Sequence, residues 1–337
     1  MEVWQGPHFV RVFWAPGRVN FIGEFTDLVG GLVLPAALDL GIRLSGVAAD
    51  AIELRSAGQD EAVRLAADGS GAPRAWGRYV AAVARELALL GRAPIGFRGE
   101  LESSLPIGAG LSSSAALEVA VATALCAVAD FELAPLELAQ AARRAENRLG
   151  IPSGILDQAA CVLGRADHAI LLDTRSLEHE LVPLPPRLAV VIVDSGVRRA
   201  LEHSGYAERK RELDRGDRRR LRHVETENER VVATAAALRA NDLERVGELF
   251  REGHESLRVD FEATIPELDR LVDLAYAEGA IAARMTGGGF GGAIVALVDR
   301  ADVEAFVERL VREYGAGGRA WICRASDGAR ELVPNVL

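Results

Sequence analysis

Leu105-Pro106-Ile107-Gly108-Ala109-Gly110-Leu111-Ser112-Ser113-Ser114-Ala115-Ala116 is the stretch on which the reading of this chain rests. Its spaced glycines let the backbone approach a ligand closely. Three serines stand where a helix rich in alanine and leucine begins and runs on to Val128. Free N–H groups and the positive end of the helix dipole converge there, which suits a phosphate. Serine hydroxyls add phosphate hydrogen bonds or one oxygen ligand to Mg2+. A plain connector needs one N-cap serine, not three behind a glycine pair.

A second glycine-rich loop, Met285-Thr286-Gly287-Gly288-Gly289-Phe290-Gly291-Gly292, runs straight into the apolar Ala293 to Val298. It satisfies Gly-x-Gly-x-x-Gly, but a dinucleotide fingerprint must open a helix, and this one opens a strand. The better reading is a loop of the second half packed against the phosphate site of the first. Between and around the loops, helical spacing predicts helices over Trp76 to Leu90, Pro135 to Leu149, Glu202 to Arg215, Arg218 to Arg239, Asp242 to Arg251, Pro266 to Glu278 and Val303 to Tyr314. Strands are expected at Arg11 to Ala15, closed by a Pro16-Gly17 turn, and at Leu38 to Val47, Ala51 to Leu54, His168 to Asp173 and Arg319 to Ile322. Leu188 to Asp194 is continuously apolar and so reads as a strand buried on both faces. Pro183-Leu184-Pro185-Pro186 is the candidate junction between a first domain, 1–182, and a second, 183–337. The runs Arg209-Lys210-Arg211 and Arg218-Arg219-Arg220 interleave with glutamates and read as solvated helix faces. The expected class is α+β.

Composition narrows the function. The 337 residues carry 39 basic and 49 acidic side chains, a net charge of −10, which argues against nucleic acid as a partner. Lys210 is the only lysine, and no Gly-Lys-Ser/Thr string exists, so a lysine-bearing phosphate loop is ruled out. Cys126, Cys161 and Cys323 are far apart and read as reduced, buried small hydrophobes. Met1 to Phe13 has no signal-peptide pattern and no apolar run reaches the length of a membrane span, so the expected compartment is the cytoplasm, with no membrane partner.

Taken alone, Asp157 in Pro152-Ser153-Gly154-Ile155-Leu156-Asp157-Gln158 reads more readily as a structural cap than as a functional residue. Its order and spacing among other segments change that. Ala15-Pro16-Gly17-Arg18-Val19-Asn20-Phe21-Ile22-Gly23-Glu24-Phe25-Thr26-Asp27 closely resembles the galactokinase signature, whose usual form has His where Phe25 stands. Pro106 to Ala116 is similar to the nucleotide loop of the wider galactokinase, homoserine, mevalonate and phosphomevalonate kinase superfamily, and Thr286 to Gly292 to its third motif. The segments 154–158, 167–178 and 266–272 also resemble galactokinase, so the resemblance runs from about Arg11 to Gly328.

The resemblance implies a two-lobed small-molecule kinase fold, with the active site in the cleft, that phosphorylates a sugar on its anomeric hydroxyl with ATP and Mg2+. It places Asp157 as catalytic base and Arg18 as its partner, orienting it and offsetting charge on the transferring phosphoryl group. It assigns the sugar to Glu24, Phe25, Asp27, Gly154, Asp157 and Tyr206. The nucleotide falls to Pro106, Gly108, Gly110, Leu111, Ser112, Ser113, Ser114, Gly288 and Gly289, with Trp76 stacking on adenine, and Mg2+ to Ser114 and Glu146. Galactose is the expected substrate and a monomer or weak dimer the expected state. Phe25 departs from the family at the sugar's C6 hydroxyl, which phenylalanine cannot hydrogen-bond. That points to L-arabinose or a 6-deoxy sugar as an alternative substrate, whereas the retained Glu24 favours galactose. A non-catalytic sugar and ATP sensor on the same fold is the alternative from another class; the intact Ser112 to Ala116 stretch, with Arg18 and Asp157, weighs against it. A superfamily member acting on a non-sugar alcohol is disfavoured by Glu24 to Asp27 and Tyr206.

Overall fold

The computed structural model describes residues 10–332 apart from 58, 60, 107, 109, 152, 199–204 and 316. In chain order the elements are β1 (Arg11–Asn20), β2 (Leu32–Val33), β3 (Pro35–Ala49), β4 (Ala51–Ser56), β5 (Val63–Ala66), α1 (Gly77–Leu89), β6 (Gly96–Ser103), α2 (Ser113–Val128), α3 (Pro135–Arg148), α4 (Leu156–Leu163), β7 (His168–Asp173), β8 (His179–Pro183) and β9 (Leu188–Asp194). They continue as α5 (Gly205–Asp214), α6 (Arg218–Ala240), α7 (Leu243–Ser256), α8 (Pro266–Ala277), β10 (Ala282–Thr286), β11 (Ala293–Asp299), α9 (Val303–Tyr314), β12 (Arg319–Cys323) and β13 (Arg330–Leu332). A 3-10 turn covers Thr26–Val29 and a π turn Leu257–Phe261. The α+β expectation holds. The predicted Glu202 to Arg215 helix is seen over Gly205–Asp214, its first residues lying outside the described ones.

Three sheets organise these elements: β13-β1-β3-β6-β4-β5, β10-β11-β9-β12 and β2-β7-β8. The apolar β9 is buried throughout because both faces of its sheet are covered. Val190 and Ile192 face the main core shared with the first sheet, while Ala189, Val191 and Val193 alternate onto a second core with residues of α8 and α9. α2 lies across β1 and β3 and against α1, α3 and α4, and its alanines keep those neighbours close. The three cysteines are free and buried. No described helix is long and apolar enough to cross a membrane.

Two local expectations are corrected. Pro16-Gly17 does not end a strand: β1 continues through it with a shift in register between Pro16 and Arg18. The extra residues of this irregularity lie on β3, where Gly41 to Ala37 oppose only Pro16 to Arg18, and Gly17 in the gap faces the serine loop. A Cβ on Gly17 would sit 2.7 Å from the Leu111 carbonyl, and the Arg18 N–H donates to that carbonyl at 3.3 Å. The arginine runs are not simply solvated faces. Arg220 is almost wholly buried, donates to Glu212 at 2.8 Å and to Glu262 at 2.5 Å, and so ties α5 and the π turn to α6. Glu212 and Glu262 supply the counter-charge that makes this burial tolerable.

Candidate active site

Arg18 brings the first motif, the serine loop and the carboxylate together. Its Nε donates to Asp157 Oδ1 at 2.8 Å and one terminal nitrogen lies 2.7 Å from the same oxygen. Its other terminal nitrogen donates to the Gly110 carbonyl at 2.6 Å. Buried, it serves as an arginine fork joining three segments. Asp157 stands in the first turn of α4, where the helix dipole favours a carboxylate, and keeps 32% of its side chain exposed. It is thus anchored on one side and open on the other.

Asp27, in the 3-10 turn, lies beside this pair. Burial, and then the Asp157 charge, push its carboxyl up to about 6, against the pull of Arg18 and Arg143. A Cβ on Gly154 would overlap the Asp27 carboxylate, so only glycine leaves Asp27 in place. Phe25 adopts a left-handed backbone at φ 67° and turns its ring inward, stacking on Phe261 at 4.2 Å between centroids and meeting Tyr206 at 5.7 Å. Glu24 is buried in an ion pair with Arg284 at 2.7 Å, and burial pushes it up to about 7.

The serine loop is built for close approach. Gly108 and Gly110 have φ of 78° and 75°, and Ser112, which is not glycine, is held at 57° just before α2 starts. A left-handed serine is strained, and strain of this kind marks ligand sites. The Ser112 hydroxyl is buried and has no partner among the described residues, while Ser113 is exposed and Ser114 half-buried. Leu111 is buried behind the loop and Pro106 half-buried before it; Ile107 and Ala109 lie outside the described residues. The second glycine loop packs against the first, as expected: a Cβ on Gly287 would stand 3.3 Å from the Gly110 carbonyl. Gly288 is half-buried, and Gly289, at φ 64°, faces the Ala263 carbonyl too closely for any side chain. The Thr286 hydroxyl donates to the Asn20 carbonyl at 2.8 Å and accepts its amide, fastening the third motif to the first. Trp76 caps α1, half-buried against the main core.

Behind the loop, Gln158 donates to Glu146 at 2.9 Å and to Glu118 at 3.2 Å. Burial pushes Glu118 up to about 9 and raises Glu146 as well, the latter opposed by Ser153, then Gln158 and, least, the Ser114 hydroxyl. Among the described residues no three His, Cys, Asp or Glu form a metal cage. Mg2+ needs none when phosphates and waters supply most ligands, so a hydroxyl facing one carboxylate fits it.

Sequence reasoning missed Glu227, His223 and Arg284, which hold the first motif from the other half of the chain. The available signal was Arg284, a lone charge in the apolar Ala282–Thr286 strand.

Residues 78–165 match GHMP kinases N terminal domain, residues 234–317 GHMP kinases C terminal, and residues 4–46 the galactokinase galactose-binding signature. Galactokinase of Roseiflexus sp. (strain RS-1) is 40% identical over 98% of this chain and 95% of its own. Lactococcus lactis galactokinase, solved with galactose, superposes with a TM-score of 0.90 at 32% identity, covering 96% of this chain and 95% of that one. Methanococcus jannaschii mevalonate kinase shares the fold, with a TM-score of 0.74 at 20% identity over 96% of this chain and all of that one.

Proposed function

Because the chain belongs to the galactokinase family of the GHMP kinases, we propose that it transfers the γ-phosphoryl group of ATP to the anomeric hydroxyl of galactose. The observation that carries this reading is Arg18, whose single guanidinium joins Asp157 to the Gly110 carbonyl of the serine loop. A sugar hydroxyl on Asp157 therefore lies next to the place where phosphates dock. Asp157 accepts the hydroxyl proton or fixes its direction, and Arg18 orients Asp157 and faces the charge on the transferring group. Phosphoryl transfer depends largely on such positioning.

In this reading Asp27, Gly154, Glu24, Phe25 and Tyr206 shape the sugar pocket. Pro106, Gly108, Gly110, Leu111, Ser112, Ser113, Gly288 and Gly289 receive the phosphates, Trp76 the adenine, and Ser114 with Glu146 the Mg2+ that shields phosphate charge. The lobes are residues 1–182 and 183–337, and the protein acts in the cytoplasm as a monomer or weak dimer. The test is a kinase screen over free aldoses with product identification by phosphorus NMR: galactose 1-phosphate is expected, and absence of any sugar 1-phosphate overturns the reading. Gly154→Ala displaces Asp27, so its galactose KM is expected to rise about 10-fold to 100-fold with little change in ATP KM, measured by steady-state kinetics.

The packing of Phe25 among Phe261 and Tyr206 favours a second, finer reading, in which the C6 end of the pocket is apolar. An apolar subsite discriminates weakly against a missing hydroxyl. The galactose advantage over D-fucose and L-arabinose in kcat/KM is then expected to stay under about 10-fold and to widen in Phe25→His. A strong galactose preference that Phe25→His leaves unchanged removes this reading.

A further inference from the structure

The sugar signature is gripped by residues from the second half of the chain. On α6, the Glu227 carboxylate accepts the Gly23 amide at 2.9 Å, Asn228 accepts the Leu32 amide at 2.7 Å, and His223 Nε2 lies 3.1 Å from the Glu24 carbonyl. From β10, one terminal nitrogen of Arg284 donates to both Glu24 at 2.7 Å and Glu227 at 2.6 Å. Glu24, Glu227 and Arg284 are all buried. Arg284 Nε and its second terminal nitrogen find no acceptor, and Glu24 Oε1 no donor, among the described residues. Two carboxylates thus share one contact atom of one cation, and the second carboxylate also holds a backbone amide of the signature.

We infer that Arg284 and Glu227 are positioning residues for sugar binding, acting through Glu24 and the Gly23 backbone to fix the segment that ends in Asp27. The inference rests on the proposed sugar-binding role of that segment. Neither residue has to touch the sugar. Arg284 sets where the Glu24 side chain lies, and Glu227 sets both the Arg284 position and the height of the Gly23 peptide. A small shift here is passed directly to Phe25 and Asp27, two and four residues beyond Gly23.

The charge environment makes the coupling measurable. Glu24 faces Arg284 from β10, Glu227 from α6 and the Asn20 amide from β1, while its carbonyl faces His223. Arg230 faces Glu227 at 2.8 Å, and His223 leads on to Ser256 and Asp260. Burial first and then Glu227 raise Glu24 to about 7, against Arg284. Glu227 itself is drawn down to about 2 by Arg284, His223 and Arg230 despite its burial. Removing the Glu227 charge leaves Arg284 to Glu24 alone and moves Glu24 titration to lower pH.

Galactose KM, ATP KM and kcat of Glu227→Gln and Arg284→Lys, with Asp27→Asn alongside, test this across pH 5.5 to about 8.5, a range spanning the raised carboxyl. Both variants are expected to raise galactose KM about 10-fold to 100-fold with ATP KM little changed. In Glu227→Gln the pH dependence of galactose KM moves to lower pH. A merely structural role lowers the active fraction and leaves both KM values and the pH profile in place, which overturns the inference. If Asp27→Asn leaves galactose KM unchanged, the sugar-binding reading itself fails. If Asp27→Asn raises it while the other two do not, only the inference fails. Should those variants not fold, Glu227→Asp, which keeps the charge but draws the carboxylate back from the Gly23 amide, gives the answer. A raised galactose KM with ATP KM little changed supports the inference, and two unchanged KM values overturn it.

Discussion

Asp157→Asn is expected to fold and to bind ATP normally while kcat falls about 1,000-fold, in the range typical of a lost general base. Asparagine keeps the size of the side chain and an oxygen for Arg18 but cannot accept the hydroxyl proton. Arg18 retains its bond to the Gly110 carbonyl and its amide retains Leu111, so the serine loop stays in place. Steady-state kinetics with ATP binding measured separately distinguishes the two effects. Near-normal kcat would reject Asp157 as base and leave it a purely structural partner of Arg18. A loss of ATP binding together with kcat would instead assign the residue to the loop.

Arg284→Met is expected to cost about 3–5 kcal/mol of folding stability near pH 7.5, the usual penalty for stripping the partner from a buried charge. Glu24 would then face Glu227 with no cation of its own, while Glu227 keeps only Arg230. The pH dependence has a definite sign. Glu24 already titrates at about 7 when folded against an ordinary 4.5, so its burial erodes stability as pH rises through that window. Glu227, held at about 2, contributes stability above its ordinary range and loses the Arg284 share of it, the largest, while His223, Arg230 and the Gly23 amide remain. The variant's native state therefore binds more protons, and its deficit should shrink between pH 8 and 5.5. Urea unfolding at several pH values measures it; a pH-independent deficit would show that lost packing, not charge, dominates.

The sequence was most legible where one segment carries its own explanation. Three serines behind a glycine pair describe a loop and a helix start without any partner, and the apolar β9 announces a sheet covered on both sides. Asp157 was identifiable only through its company, because the residue that fixes its role, Arg18, lies 139 positions away. The eight-residue α4 was missed for a related reason: it follows Pro-Ser-Gly and is too short for its periodicity to stand out. β6 alternates, with Phe97 and Leu101 buried against exposed Arg98, Glu100 and Glu102, but Gly96 and Gly99 thin its apolar face to two side chains and mask the signal. Its Gly99 is there because the Ser45 carbonyl of β3 leaves no room for a side chain. Arg220 looked like solvent-facing charge because nothing local shows that Glu262 folds back onto it. The Glu24–Arg284–Glu227 group illustrates the general limit. Each member is legible as a charged residue, but their convergence is a property of the topology.

β13 pairs with β1, at the edge of the first sheet, after the chain has built the second sheet. During synthesis, the outer flank of β1 must wait until Arg330–Leu332 has left the ribosome, long after β1 itself, before this neighbour arrives. Until then an exposed strand margin is open to pairing with another nascent chain. Deleting the β13 residues Arg330–Leu332 should therefore harm solubility more than the loss of so short a strand suggests.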